Sequence, residues 1–163
     1  NDAGYNGVAG FSPDGQQLYL FNHYGKSGSR ATTQGLSVSR WREGRWDAPE
    51  NMAIPYFLNR EAELTGSITS DGQAFVFAAE GYDTKGAEDL HVTWRKPNGS
   101  WTEPRNLSFL NTRFQELSPW LADDGRKLYF ATNGREGYGS FDIFVTERLD
   151  DSWLQWSEPQ NLG

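Results

Sequence analysis

The sequence predicts an all-β chain made of three copies of one four-stranded antiparallel unit. Three observations carry the prediction. The first is a set of landmarks that return three times in one order. "SPDGQQLYLF" (12–21) comes back as "TSDGQAFVFA" (69–78) and "ADDGRKLYFA" (122–131), so the Asp-Gly pairs start at Asp14, Asp71 and Asp124. "GLSVSRW" (35–41) is followed by "DLHVTWR" (89–95) and "DIFVTER" (142–148), and "WDAPENM" (46–52) by "WTEPRNL" (101–107) and "WSEPQNL" (156–162). Trp46, Trp101 and Trp156 are spaced by 55 and 55 residues, and Pro49, Pro104, Pro159 and Asn51, Asn106, Asn161 keep the same spacing. The second observation is composition: 15% aromatic residues with 18 Gly and 7 Pro, which favours strands joined by many turns. The third is an apolar run after each Asp-Gly pair that has no polar face, as in a strand covered on both sides.

Each unit reads in order. A short segment opens it: "GVAGF", "LTGSI" or "LSPWL". The Asp-Gly pair then makes a tight hairpin, with Gly in the left-handed position. Next come Leu18, Tyr19, Leu20 and Phe21, or Phe75, Val76 and Phe77, or Leu128, Tyr129 and Phe130, which form the doubly covered strand. The third strand alternates more, as in Leu90, His91, Val92 and Thr93. The Trp-x-x-Pro-x-Asn segment ends the unit, and its Pro suits an edge strand. Sheets of four strands, stacked with both faces covered, describe propeller blades. The expected boundaries are residues 1–54, 55–108 and 109–163, in one continuous propeller segment.

These repeats resemble the TolB-type β-propeller repeat, whose pattern is a Ser-Pro-Asp-Gly turn, a Leu-Tyr-Phe strand and an Asp-Ile-Tyr-Val strand. The third unit is most similar to the version found in OmpA-family, peptidoglycan-associated envelope proteins of Bacteroidetes-type bacteria. The resemblance implies a periplasmic or outer-membrane-associated location. It covers the whole chain with departures: unit two has Thr-Ser for Ser-Pro, unit three has Ala-Asp, and Gly35 stands where the other units carry Asp89 and Asp142.

Three blades fall short of the four to eight of a closed propeller. A face of four five-residue strands offers roughly 300 Å². If half of it is apolar, leaving it wet forgoes on the order of 4 kcal/mol. The chain is therefore expected to belong to a larger ring, either as a segment of a longer polypeptide or as a half that dimerises into six blades. It starts at Asn1 without a signal-peptide pattern, as a processed or trimmed product would.

A net charge of −7 with no Lys/Arg block argues against a nucleic-acid ligand and against anionic membranes. No apolar run approaches a membrane span. The absence of cysteine rules out disulfides and Cys-ligated zinc. Catalytic patterns fail in turn. There is no Gly-x-Ser-x-Gly elbow, and His23 and His91 lie on different units with no evident nucleophile, His91 reading as a hydrogen-bonded structural residue. "GREGYG" is followed by no helix whose N-terminus could bind phosphate. Paired carboxylates for glycoside hydrolysis form no distinctive pattern. No cofactor and no metal is expected.

Binding residues are sought on the long, dissimilar loops that join strands two and three: 22–35, 80–89 and 133–142. The loops between units, 53–63 and 108–116, lie on the same side of a propeller. Variable loops on a fixed scaffold are where recognition sits, and Tyr and Arg most often anchor interfaces. The candidate partner-binding residues are Tyr24, Lys26, Arg30, Tyr82, Asp83, Arg135 and Tyr138. Asn6, Glu63 and Glu116 share one position of the repeat and are placed at the channel mouth, as a carboxylate ring that could hold a cationic group. Asp89 and Asp142 are expected to bind local backbone N–H groups. Trp46, Trp101 and Trp156 are assigned to packing between blades. The expected function is a non-enzymatic scaffold that binds a protein or peptide partner in the bacterial cell envelope. The alternatives are a glycan- or peptidoglycan-binding or glycan-cleaving propeller, and a purely structural, self-assembling half-propeller.

Overall fold

The computed structural model describes residues 7–25 and 31–163, and the described residues contain strands and turns but no helix. They form three antiparallel sheets. In the first, β1 (Val8–Phe11), β2 (Gln17–Tyr24) and β3 (Ala31–Arg42) are neighbours, and β4 (Arg45–Trp46) and β5 (Glu50–Met52) both pair with β3. The second runs β6 (Thr65–Ile68), β7 (Ala74–Ala79), β8 (Asp89–Trp94), β9 (Arg105–Asn106). The third runs β10 (Glu116–Leu121), β11 (Lys127–Thr132), β12 (Asp142–Glu147), β13 (Gln160–Asn161). The β4 pairing of Trp41 with Trp46 recurs in the other sheets as single bridges, Arg95 to Trp101 and Arg148 to Trp156. Each short outer strand follows the recurring Pro, which has no N–H to give to a ladder.

The Asp-Gly corners share one geometry. Gly15, Gly72 and Gly125 take φ of 67°, 69° and 65°, a region in which a side chain is strained. In each corner the Asp Oδ1 accepts the N–H two residues on: Gln16 at 2.9 Å, Gln73 at 3.0 Å and Arg126 at 2.9 Å. The Ser12 hydroxyl, and then the Gln16 N–H, hold the Asp14 carboxyl below its ordinary range.

Stacking the sheets face to face makes two cores. Tyr19, Phe21, Leu36, Val38 and Met52 of the first sheet bury against Ile68, Phe75, Phe77 and Trp101 of the second. The opposite face of the second sheet, with Val76, Ala78, Leu90, Val92 and Leu107, buries against Leu121, Leu128, Phe130, Phe144 and Trp156 of the third. β7 is therefore buried along its whole length, as its unbroken apolar run requires. The first strands also approach one another. Ser118 N–H donates to Thr65 Oγ1 at 3.2 Å and Leu121 N–H to Ser67 Oγ at 2.7 Å.

The tryptophans require one correction. Trp101 and Trp156 are each 3% exposed, whereas Trp46 is 39% exposed. Trp101 and Trp156 bury against the sheet that precedes their own, and no sheet precedes the first among the described residues. Trp46 packs edge to face on Trp41, at 5.3 Å between ring centroids.

Candidate functional site

The loops between second and third strands meet the loops that join successive sheets, so both sets share one end of the molecule. Gln34 Nε2 donates to the Glu61 carbonyl at 2.6 Å, Arg60 N–H to the Glu80 carbonyl at 3.0 Å, and Ala87 N–H to the Phe114 carbonyl at 3.2 Å. The approach is close enough that a Cβ on Gly86 would stand 1.8 Å from the Phe114 carbonyl oxygen.

Repeated residues hold these loops. The recurring asparagines reach back from the outer strands to loop carbonyls: Asn51 to Tyr24 at 3.0 Å, Asn106 to Asp83 at 3.1 Å and Asn161 to Glu136 at 3.4 Å. Asp89, fully buried, accepts Lys85 N–H at 2.9 Å and Asn106 Nδ2 at 2.8 Å. Asp142 accepts Tyr138 N–H at 2.8 Å and Gly139 N–H at 3.2 Å. In the first sheet the His23 ring fills the place of these acids, and a Cβ on Gly35 would lie 2.3 Å from its Nε2.

The loop 80–88 overhangs a recess of about 190 Å³ lined by Tyr56, Leu58, Phe77, Tyr82, Asp83 and His91, with Gly81 and Pro104 at its edges. Tyr56 and Tyr82 stand almost free of the surface, 82% and 88% exposed. The Arg60 guanidinium lies 4.8 Å from the Tyr82 ring centre and donates to the Gly81 carbonyl at 3.3 Å, which steadies the ring. In the floor, His91 stacks on Phe77 at 5.6 Å, and Phe57 packs against the same ring at a tilt, 5.0 Å between centroids. His91 Nδ1 faces the Asp89 carbonyl at 3.0 Å and its Nε2 faces Asp83 Oδ1 at 3.2 Å.

No family model and no curated protein matches the chain. Among solved structures it is similar to TolB from Acinetobacter baumannii, with 16% identity and a TM-score of 0.50, over 84% of this chain and 28% of that one. It is also similar to the periplasmic gluconolactonase PpgL of Pseudomonas aeruginosa, with 19% identity and a TM-score of 0.46, over 84% of this chain and 38% of that one. The chain thus spans well under half the length of either protein. Three stacked antiparallel sheets, the first with the extra two-residue strand β4 and the others of four strands, together with the likeness to TolB decide the architecture. The fold is a β-propeller fold.

In these blades the predicted site residues separate. Tyr82 and Asp83 come together at the recess, and Tyr138 stands 87% exposed on the corresponding loop of the third blade. Tyr24 is half-buried at the end of β2, its N–H donating to Asn51 Oδ1 at 2.8 Å. Lys26, Arg30 and Asn6 lie outside the described residues. Arg135 is turned largely inward, its guanidinium donating to Glu158 at 2.8 Å and, at 3.2 Å, to the carbonyl of Leu110 in the loop that leads into the third sheet.

Glu116 is corrected as well. It is fully buried, and its carboxylate accepts Thr112 N–H at 3.0 Å and the Thr112 and Thr132 hydroxyls at 2.8 Å each, so it ties a turn and lines no opening. Glu63, at the same repeat position, is exposed beside Glu61 and Glu88, because Asn59 and Ala79 stand where those two threonines would be. Tyr56, Arg60 and His91 belong to the recess although the sequence did not single them out for binding. The one available signal was the Tyr56-Phe57 pair inside a loop already assigned to this face.

Proposed function

We propose that this propeller scaffold binds a protein or peptide partner through its loop face, with one side chain of the partner seated between Tyr56 and Tyr82. One observation carries the proposal. Tyr56, Tyr82, Phe109, Phe114 and Tyr138 are all exposed, and all sit on the loops of this one face. Aromatic rings presented from a rigid frame are the usual anchors of a protein interface. The size of the recess favours a side chain over a free small molecule, whose sites run to roughly 300–1,000 Å³. What supports binding over catalysis is that both ring nitrogens of His91 face acceptors of the chain itself, Asp83 and the Asp89 carbonyl. The resemblance of the repeat to peptidoglycan-associated envelope proteins supports a partner in the bacterial cell envelope.

The test compares the protein with its Tyr56→Ala/Tyr82→Ala variant. Both side chains are exposed, so the variant should fold with an unchanged melting temperature. A partner captured from a bacterial envelope fraction by the wild type, then purified, should bind the variant at least tenfold more weakly by calorimetry. Equal affinity for the two proteins, or binding of cell-wall glycan fragments in place of a protein, would overturn the proposal.

A further inference from the structure

We propose that the partner side chain seated in the recess is an arginine, its guanidinium held by the Asp83 carboxylate and the Leu58 carbonyl between the rings of Tyr56 and Tyr82. The inference rests on the reading of this face as a protein-binding surface. It comes from the third blade, where the chain places a guanidinium of its own at the corresponding spot. Tyr82 and Arg135 stand at the same distance before Asp89 and Asp142, and so do Asp83 and Glu136. Leu58 and Leu110 directly precede Asn59 and Asn111, and Glu103 and Glu158 directly precede the recurring Pro104 and Pro159. The two loops also match in space, since Asn106 reaches the Asp83 carbonyl at 3.1 Å and Asn161 the Glu136 carbonyl at 3.4 Å.

In the third blade the Arg135 side chain is only 19% exposed. Its guanidinium runs from Glu158 at 2.8 Å to the Leu110 carbonyl at 3.2 Å, and so lies across the space between the entering loop and the outer strand. In the second blade that space is the recess of about 190 Å³, because Tyr82 replaces the arginine and turns outward. The acceptors remain. Leu58 lines the recess, and no hydrogen bond from the described residues reaches its carbonyl. Glu103 stands exposed at the position of Glu158. Asp83 adds a carboxylate on the wall, with Oδ1 3.2 Å from His91 Nε2 and the side chain 61% exposed.

These walls suit a guanidinium. Its flat faces stack on tyrosine rings while its edge donates in plane to a carboxylate and a carbonyl. An apolar side chain would cover the Leu58 carbonyl without offering it a donor. An acidic one would meet Asp83 on a chain of net charge −7. Arg60, the cation on the Tyr82 ring, is met by Glu80 at 3.8 Å, and no lysine or arginine pairs with Asp83 among the described residues. All the lining residues belong to the second blade and the loop that enters it, so the recess is complete within the described residues.

The probe is a blocked Gly-Arg-Gly peptide, compared with the same peptide carrying citrulline, which keeps the shape without the charge, and with its lysine counterpart. Binding is followed by NMR titration at the His91 ring protons and the Gly81 amide. The arginine peptide should shift both signals at millimolar concentration. The citrulline peptide should bind about tenfold more weakly, as loss of one charge-assisted hydrogen bond predicts. Lysine, a point charge without the planar fork, should also bind more weakly than arginine. Asp83→Asn, at an exposed side chain, should leave the melting temperature unchanged and erase the difference between arginine and citrulline. Equal binding of these two peptides to the wild type, tighter binding of lysine, or no shift at either signal would overturn the proposal. A captured envelope partner that still depends on Tyr56 and Tyr82 while the arginine peptide fails would strike the arginine and keep the docking site.

Discussion

Replacing Asp89 by alanine tests how the binding loop is held. The carboxylate is fully buried and accepts two short hydrogen bonds, from Lys85 N–H at 2.9 Å and Asn106 Nδ2 at 2.8 Å, with a third contact to Gly86 N–H at 3.4 Å too long to count for much. Among the described residues no cation pairs with it, and Lys85 Nζ turns to the Ser108 carbonyl at 2.6 Å. Hydrogen bonds to a charged group contribute about 1.5 kcal/mol each, so Asp89→Ala should cost about 3 kcal/mol. Asp142 accepts the two corresponding loop amides in the third blade, but from a half-exposed position and with Asn161 turned to the Glu136 carbonyl, so water can serve those amides in its absence. Asp142→Ala should therefore cost about 1 kcal/mol. Urea unfolding at pH 7 with unchanged m-values measures both. Hydrogen exchange at the Lys85 amide should also accelerate in the Asp89 variant, because its local opening no longer breaks a bond. Equal losses for the two variants, or a loss below about 1 kcal/mol for Asp89→Ala, would refute the view that burial makes this carboxylate the main tie of the loop.

Two further outcomes are expected. Gly86→Ala should cost about 1–3 kcal/mol in the same unfolding assay, because the new Cβ collides with the Phe114 backbone and forces apart the loops of the second and third blades. Glu61→Gln should raise the melting temperature at pH 7. The charge of Glu88, then burial and the Glu80 carboxyl, push the Glu61 carboxyl above its ordinary value of 4.5, so its ionisation opposes folding. That contribution is favourable below the unfolded value and lost as pH rises through the folded one, so the gap between variant and wild type should close as pH falls below about 4.5. A gap that stays constant from pH 7 to pH 4 would show that Glu88 does not act on Glu61.

The repeat was legible because a blade is a local object: its corner, its doubly covered strand and its edge strand are each written within about 55 residues. What failed was everything set by a neighbour. Trp46 and Trp101 are the same residue at the same position, and only the presence of a preceding blade makes one buried and the other half-open. Arg135 has the composition of an interface anchor, but the residues that claim it, Leu110 and Glu158, lie 25 and 23 positions away. Glu63 and Glu116 align in sequence and separate in space, because two hydroxyls on other segments of the third blade solvate one carboxylate and are missing for the other.

The same division explains where function can reside. The bonds that steady the loop face come from residues the repeat supplies each time, such as Asn51, Asn106 and Asn161. The rings presented there, Tyr56, Tyr82 and Tyr138, come from segments that differ from blade to blade. A partner that docks on Tyr82 meets a loop already ordered by Asp89, Asn106 and Arg60, so little of the binding energy is spent on immobilising it. Specificity can then change with the loop sequences while the anchors stay fixed, and a substitution at an anchor should weaken binding only by as much as it loosens the loop above it.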